Sequence, residues 1–231
     1  MYMRRSAVLA IIFLLSAGIS FAQKHITVEH NYSGFSAVEA GNYFDISIIP
    51  SDEYTVRITT DVMIENYILA YAKDGTLYLS IDEKAMPSDV RKTFRSKNPV
   101  LAMPHVDIYT PEIKSVTLAG SSVIDCDSLV TSSGTFSLVL SRNAAVRKMA
   151  VKADMVRMEL TNRAQAYMSV ESKALNVQCL QNSKAELKVD VQNLTVNASS
   201  FATVELFGNA VRVALDAESN SRIWMERNDG E

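Results

Sequence analysis

Apolar and polar residues alternate over most of this chain, and between Val116 and Leu215 the alternation returns at a nearly constant interval. Each return is a triplet of mostly apolar positions separated by single spacers. The six triplets are Val116-x-Leu118-x-Gly120, Phe136-x-Leu138-x-Leu140, Val156-x-Met158-x-Leu160, Leu175-x-Val177-x-Cys179, Leu194-x-Val196-x-Ala198 and Val211-x-Val213-x-Leu215. Their central residues lie 17 to 20 positions apart, which is typical of a repeat architecture. Alternation with a period of two predicts strands.

A second alternating strand follows the first in each period, as in Ala166-x-Met168-x-Val170 and Ala185-x-Leu187-x-Val189. Polar corners, rich in residues that tolerate unusual backbone angles, separate the strands: Gly120-Ser121-Ser122, Arg142-Asn143, Asn162-Arg163, Asn182-Ser183, Ser199-Ser200 and Ser219-Asn220. Because one repeat cannot bury its apolar face alone, the repeats are expected to stack. The pattern predicts an all-β chain, with a β-solenoid (parallel β-helix-like) of about six coils of 17–20 residues and inward-facing triplets.

The region before the repeats also alternates, in shorter runs. Phe44 to Ile48 and Tyr54 to Ile58 flank the polar turn Ser51-Asp52-Glu53, which predicts a hairpin. Apolar residues at helical spacing predict a short helix from Asp61 to Ala72. A turn then leads into a strand from Leu77 to Ile81. We interpret residues 23–81 as a small β-rich N-terminal region packed on the solenoid.

Residues 82–105 interrupt the alternation with three prolines and a group of basic side chains, of which Arg91, Lys92 and Arg95 lie closest together. A loop of about twenty residues is uncommon in a compact domain and is often functional or disordered. Two interpretations remain open for this long basic loop. It is either a solvated excursion between the N-terminal region and the solenoid, or a mobile binding loop that presents Arg91, Lys92 and Arg95 to a partner.

The first 22 residues have the three parts of a secretory signal peptide. Arg4 and Arg5 precede an apolar run from Ala7 to Leu15, and Ser20-Phe21-Ala22 offers small residues for cleavage. The alternative is a membrane anchor, but the run is shorter than the roughly 20 residues that a spanning helix needs. We therefore expect an exported protein, in the periplasm or at the cell surface, with the solenoid and a C-terminal cap occupying residues 106–231.

Charge and cysteine usage narrow the function. Without Arg4 and Arg5 the 23 basic residues fall to 21 against 26 acidic ones, a net charge of about −5, which argues against nucleic acid as a partner. Cys126 and Cys179 fall three coils apart, roughly 14 Å at the spacing of paired strands. A disulfide needs Cα atoms within about 7 Å, so both thiols are predicted to be buried and unpaired.

Catalytic and metal-binding signatures do not stand out in the sequence. The three histidines, His25, His30 and His105, lie outside the repeats and far apart, so we expect no metal site, and no cofactor-binding motif is present. The outward carboxylates of the repeats leave one enzymatic alternative, since glycoside hydrolysis needs two carboxylates roughly 5–9 Å apart and stacked coils can supply that spacing by accident. The two hypotheses are a non-catalytic binding or structural module and a carbohydrate-active enzyme (lyase or glycosidase) on a β-helix scaffold.

Three segments together resemble a known family. They are Phe35-Ser36-Ala37-Val38 with Tyr43 to Ile48, Asp74 to Leu79, and Val106 to Ser122. Their order and spacing are similar to those of the exported bacterial family described as putative auto-transporter adhesin, head GIN domain, over about residues 35–220. The resemblance implies a β-helical exported protein of Bacteroidetes-like bacteria. We therefore expect a non-catalytic module of the cell envelope whose partner is an envelope glycan or protein.

Overall fold

The computed structural model describes residues 25–96 and 103–226; the predicted signal peptide and residues 97–102 lie outside them. The described chain contains fourteen strands, one 3-10 turn (Glu65–Tyr67) and one α-helix, α1 (Ser88–Ser96). The strands are β1 (His25–His30), β2 (Ala37–Ala40), β3 (Asp45–Pro50), β4 (Thr55–Asp61), β5 (Ile68–Lys73), β6 (Thr76–Ile81), β7 (His105–Thr110), β8 (Ser115–Ala119), β9 (Val123–Ser141), β10 (Ala145–Thr161), β11 (Gln165–Leu180), β12 (Lys184–Ser199), β13 (Thr203–Ala217) and β14 (Arg222–Glu226).

The strands form two facing layers that enclose one core. The front sheet runs β1-β4-β7-β3 and continues through the first halves of β9 to β13 and then β14. The back sheet runs β5-β6-β2-β8 and continues through the second halves of β9 to β13. Each long strand therefore bends at a corner and belongs to both sheets. This arrangement is the predicted β-solenoid of about six coils, joined to a β-rich N-terminal region.

The strand register confirms four of the six inward triplets. Val156-x-Met158-x-Leu160 pairs with Phe136-x-Leu138-x-Leu140 on one side and with Leu175-x-Val177-x-Cys179 on the other, and the latter pairs with Leu194-x-Val196-x-Ala198. All twelve side chains are buried. Stacking equivalent apolar residues on one another buries both at once, which is how a solenoid stabilises repeats that cannot fold singly.

The first and last triplets differ from the prediction by two residues. Val116 pairs with Leu138 instead of Phe136, and Leu194 pairs with Val213 instead of Val211. Because side chains of a strand alternate with a period of two, a shift by two residues preserves the apolar pattern and cannot be detected from it.

The sixth coil is incomplete. β14 pairs only with the first half of β13, at residues 203–207, so within the described chain the second half has a neighbour on one edge only. Val211, Val213 and Leu215 are 77%, 36% and 44% exposed, which makes the prediction of a buried sixth triplet wrong. Trp224 packs edge-on against Phe207 on the outer face of the front sheet, with ring centroids 5.5 Å apart.

Tight turns connect successive coils at the polar corners identified in the sequence. Asn162 and Arg163 both have positive φ angles, as do Gln181 and Asn182 in the next coil, which is the backbone of a hairpin-type turn. The N–H of Arg163 donates to the carbonyl of Gln181 at 3.0 Å. The turns thus stack on one another as the strands do, and their backbone groups are satisfied from coil to coil.

Two predictions for the N-terminal region are wrong. β3 and β4 do not pair with each other, because β7 lies between them, parallel to β3 and antiparallel to β4. The helix predicted from Asp61 to Ala72 is replaced by the 3-10 turn and by β5, which pairs antiparallel with β6. Pairing across the sheet packs the partly buried Ile68 and Ala70 against the main core, so tertiary packing overrides the local helical spacing.

Both cysteines are buried and free, as the repeat register predicts. Cys179 lies between Leu160 and Ala198 in the stack. Burial raises the pKa of the Cys179 thiol from 9.0 to about 11 and raises that of Cys126 as well. A thiol with a raised pKa carries little thiolate at neutral pH, and the thiolate is the reactive form. Both thiols therefore act as small apolar core groups.

The raised pKa of Cys179 predicts a loss of stability in alkali. In the unfolded chain the thiol deprotonates near its ordinary pKa of 9.0, whereas in the folded chain it keeps its proton until about 11. The stabilisation is therefore complete below pH 9 and is lost as the pH rises to about 11, which amounts to roughly 2–3 kcal/mol. Urea unfolding at about pH 8 and about pH 11 should show this extra loss in the wild type. It should be smaller in Cys179→Ala, in which only the raised pKa of Cys126 remains; equal losses in both proteins would contradict the assignment.

Candidate binding groove at the solenoid corner

A groove follows the corner at which β10, β11 and β12 pass from the front sheet to the back sheet. Each strand contributes three consecutive residues: Lys152-Ala153-Asp154, Glu171-Ser172-Lys173 and Asp190-Val191-Gln192. The middle residues stack, since Ala153 pairs with Ser172 and Ser172 with Val191. The first and third residues project on either side. Together with Ser132 and Val211 at the two ends, these residues line the corner groove, which has a volume of about 490 Å³.

The floor of the corner groove holds an unpaired hydroxyl. Ser132 is only 5% exposed, and its Oγ atom has no hydrogen-bond partner. A buried polar group without a partner costs roughly 1–3 kcal/mol, so such groups are uncommon in native structures. In contrast, the Ser172 hydroxyl donates to the Ala174 carbonyl at 3.0 Å. The Ser132 Oγ atom is itself buried, so it lies beneath the groove floor, and the groove walls carry the accessible polar groups.

Ion pairs line both walls of the groove. Lys152 contacts Glu171 on one wall, and Lys173 lies 2.7 Å from Asp154 on the other. The hydrogen bond and charge of Lys173 lower the pKa of Asp154, and Asp154 in turn raises the pKa of Lys173. Both side chains are charged at neutral pH. The walls thus present donors and acceptors of both signs, with little net charge between them.

The electrostatics favour binding over acid–base chemistry. A general acid needs a carboxyl group whose pKa is raised. In the described residues the carboxyl groups with a displaced pKa are Glu112, Asp127 and Asp154, and each pKa is lowered by a neighbouring lysine. Glu171 and Asp190 stand side by side in adjacent coils, but Glu171 is held by Lys152. The groove can donate and accept hydrogen bonds along its length.

A second depression, of about 510 Å³, adjoins the groove on the front sheet and shares Glu171 and Asp190 with it. Its base includes Gly208, where a Cβ atom would lie 2.2 Å from the carbonyl oxygen of Val189. Leu129 and Phe207 also line it, and Leu129 is 51% exposed. The two depressions form a continuous strip that is polar at the corner and more apolar on the sheet.

The predicted cationic residues lie elsewhere, on helix α1. Contrary to the loop prediction, residues 88–96 are helical, and Phe94 is buried with Met86 and Ile64 in a small separate core. Arg95 forms an ion pair with Glu83 at 2.7 Å, and Arg91 donates to the Glu83 carbonyl at 3.3 Å.

Lys92, in contrast, is exposed. The helix thus presents the predicted cations on a fixed element, and none of them lines the corner groove.

Sequence reasoning missed the corner groove. The strongest signal for it was the recurrence of a charged residue at one position of three successive repeats, Lys152, Glu171 and Asp190. Among the described residues no group of three or more histidine, cysteine, aspartate or glutamate side chains is arranged to hold a metal ion. None of the helices in the described ranges is long and apolar enough to cross a bilayer.

A family model described as putative auto-transporter adhesin, head GIN domain matches residues 34–228. The chain belongs to this family. The match covers the N-terminal region and the solenoid together, so both sheets are part of the family fold. The search of curated proteins finds no match.

Solved structures described as putative adhesins share this fold. One from Bacteroides fragilis is 17% identical, covering 89% of this chain and 98% of its own, with a TM-score of 0.51. Others from Parabacteroides merdae and Parabacteroides distasonis are 12% and 13% identical, with TM-scores of 0.50. They cover 89% and 88% of this chain and 97% and 98% of their own. At identities this low the comparison shows a shared fold, and it does not extend to the individual residues of the groove.

Proposed function

We propose that this protein is an exported, non-catalytic adhesin of the cell envelope that binds an extended glycan along the corner groove. The observation that carries the proposal is the corner groove itself, whose two walls present exposed, paired charges over successive coils. A polyhydroxylated ligand offers a donor and an acceptor at each hydroxyl. It can therefore bond to the cations and the carboxylates of both walls simultaneously.

The shape of the groove suits an extended ligand. Successive coils stack roughly 4.8 Å apart, so the groove repeats one set of polar side chains per coil over Lys152, Glu171 and Asp190. A long ligand can make a similar set of contacts at each coil. Weak contacts that repeat along one rigid surface add up without further ordering of the protein.

Adhesin family membership and the apolar segment at residues 7–15 support a location in the envelope. The predicted signal peptide, and the choice between the periplasm and the cell surface, remain part of the proposal. The carbohydrate-active enzyme is the competing hypothesis. The lowered pKa of Asp154 and the Lys152–Glu171 ion pair favour binding, because a general acid needs a carboxyl group whose pKa is raised.

Glycan-array screening of residues 23–231, followed by calorimetry with the best ligand, tests the proposal. Asp154→Ala should weaken binding about two- to tenfold, the value of one lost hydrogen bond. It should leave the free energy of unfolding nearly unchanged, since the Asp154–Lys173 pair is exposed and exposed ion pairs contribute little to stability. Asp127→Ala is the matched control, because it breaks an exposed lysine–aspartate pair outside the groove. Unchanged binding by Asp154→Ala, binding to proteins only, or turnover of the glycan would each refute the proposal.

Arg91, Lys92 and Arg95 are proposed as a second contact surface, for an acidic partner attracted to a cationic patch on a net negative chain. Since Phe94 and Met86 are buried, point variants are preferable to deletion of the segment. Lys92→Glu should weaken binding of an acidic partner several-fold at low salt, without a change in melting temperature. Lys73→Glu, at an exposed position of β5, is the control. Equal effects of both variants would show that only net charge matters.

A further inference from the structure

The C-terminal end of the solenoid has the form of a step. On the front sheet β14 adds a final strand, whereas on the back sheet the last described strand is the second half of β13. Residues 212–217, the free edge, therefore pair with β12 on one side only. Every residue from 211 to 220 is exposed. Unpaired strand edges readily pair with another chain, and stable proteins cover them.

We propose that two copies of this chain join end to end through a two-fold interface, in which β14 of each copy pairs with the free edge of the other. The required axis runs parallel to the strands, midway between the two sheets. Rotation about it exchanges front and back sheets, so the protruding strand of one copy takes the place left open in the other. Both sheets then continue from copy to copy, and the interface is isologous.

The strand directions agree with this arrangement. Within a coil the chain reverses direction between the front and back sheets, and the rotation preserves direction along its axis. β14 of one copy therefore runs antiparallel to the free edge of the other. Inward side chains stay inward, because the axis lies inside the core. The added strands are thus compatible with both the hydrogen bonding and the apolar face of each sheet.

One antiparallel register satisfies the charges as well. It places Arg222 of one copy opposite Asp216 of the other, and Glu226 opposite Arg212. Opposite charges directly across an antiparallel pair are favourable, and the two-fold axis doubles each pair. None of these four side chains forms an ion pair within the described part of the chain. Sliding the strands by two residues in either direction loses at least one of the two pairs.

The same register matches the apolar residues. Ile223 of one copy lies opposite Leu215 of the other, and Met225 lies opposite Val213. In the single chain Ile223 and Met225 are partly buried against the core, while Leu215 and Val213 are 44% and 36% exposed. Pairing covers all four, so the inward face of the last coil becomes part of a core shared by the two copies.

Sedimentation equilibrium with charge-swapped variants tests the dimer. The wild type should be a dimer, and Asp216→Arg, which faces Arg222 at both equivalent sites, should weaken association roughly tenfold or more. The double variant Asp216→Arg/Arg222→Asp should restore it. Glu53→Arg, the same charge change in the exposed β3–β4 turn, should have no effect. A wild type that is monomeric at its highest soluble concentration, or a double variant as weak as the single one, would overturn the proposal.

Disulfide trapping tests the register independently of affinity. In the proposed dimer Ala214 of one copy faces Trp224 of the other, within the Cα separation that a disulfide tolerates. In a single chain the two residues lie on opposite outer faces of the solenoid. Oxidised Ala214→Cys/Trp224→Cys should run as a covalent dimer, whereas Arg212→Cys/Trp224→Cys should not. The native thiols are buried and do not interfere. Equal trapping of both variants, or trapping of neither, would refute this register.

Discussion

Replacing Leu138 by aspartate is expected to prevent the solenoid from folding. Leu138 is fully buried and pairs with Val116 and Met158 in the coils on either side. The change removes an apolar side chain and places a carboxylate in a site without a cation or polar partner. The expected loss exceeds roughly 5 kcal/mol, which is comparable to the whole free energy of unfolding of an ordinary domain. Val177→Asp, two coils further along the same stack, should behave alike.

Circular dichroism during thermal and urea unfolding measures the effect. Lys188→Asp is the control, because this side chain lies on the outer face of β12 and should tolerate either charge. We expect a cooperative transition close to that of the wild type for Lys188→Asp, and no folded baseline for the two core variants. Equal melting temperatures in all three proteins would contradict the inward register.

Gly208→Ala is the second change for which we expect a large loss. Gly208 has a φ angle of +119°, and a Cβ atom there would lie 2.2 Å from the carbonyl oxygen of Val189 in the neighbouring coil. The added Cβ atom would collide with backbone, which cannot rotate away as a side chain can. Either the two coils must move apart or the backbone of β13 must change its conformation. We expect a loss of roughly 3 kcal/mol or more in the free energy of unfolding.

Gly134→Ala is the control that separates the cost of backbone strain from the cost of a steric clash. Gly134 also has a positive φ, +85°, but nothing lies within 4 Å of its added Cβ atom. This variant should lose only the roughly 1–2 kcal/mol that a left-handed conformation costs an L-residue. Urea unfolding of both variants gives the difference. If the two losses were the same, the contact between Gly208 and Val189 would not explain the glycine.

The periodic sequence was sufficient to predict the solenoid, because each inward triplet stacks on the equivalent triplet of the next coil and is buried in the same way. The residues from Phe136 to Ala198 follow this rule, and their register agrees with the prediction. The same reasoning failed for β3 and β4. Their sequence has the form of a local hairpin, but β7, from about fifty residues later, separates them. The hydrophobic pattern shows which residues face the core. Which strands pair with each other depends on competition among strands far apart in the sequence.

The candidate groove was beyond sequence reasoning for a related reason. Ser132 lies in the corner of β9 as one of several serines in Thr131-Ser132-Ser133, and only the folded corner shows which hydroxyl is buried without a partner. The cationic side chains were visible as a group in the sequence. The contacts of Arg91 and Arg95 with Glu83 were not, because they depend on how helix α1 docks on Ile64.

The position of β7 gives the two halves of the molecule different routes to assembly. The front sheet cannot form around β3 and β4 until residues 105–110 pair with both strands. Joining segments about 50 to 60 residues apart carries a larger loop-closure entropy than joining neighbours. From β9 onward each strand finds its template about 20 residues earlier. A chain that folds from its N-terminus is therefore expected to form the first half slowly. It then adds the coils in sequence, each pairing with a strand that is already folded.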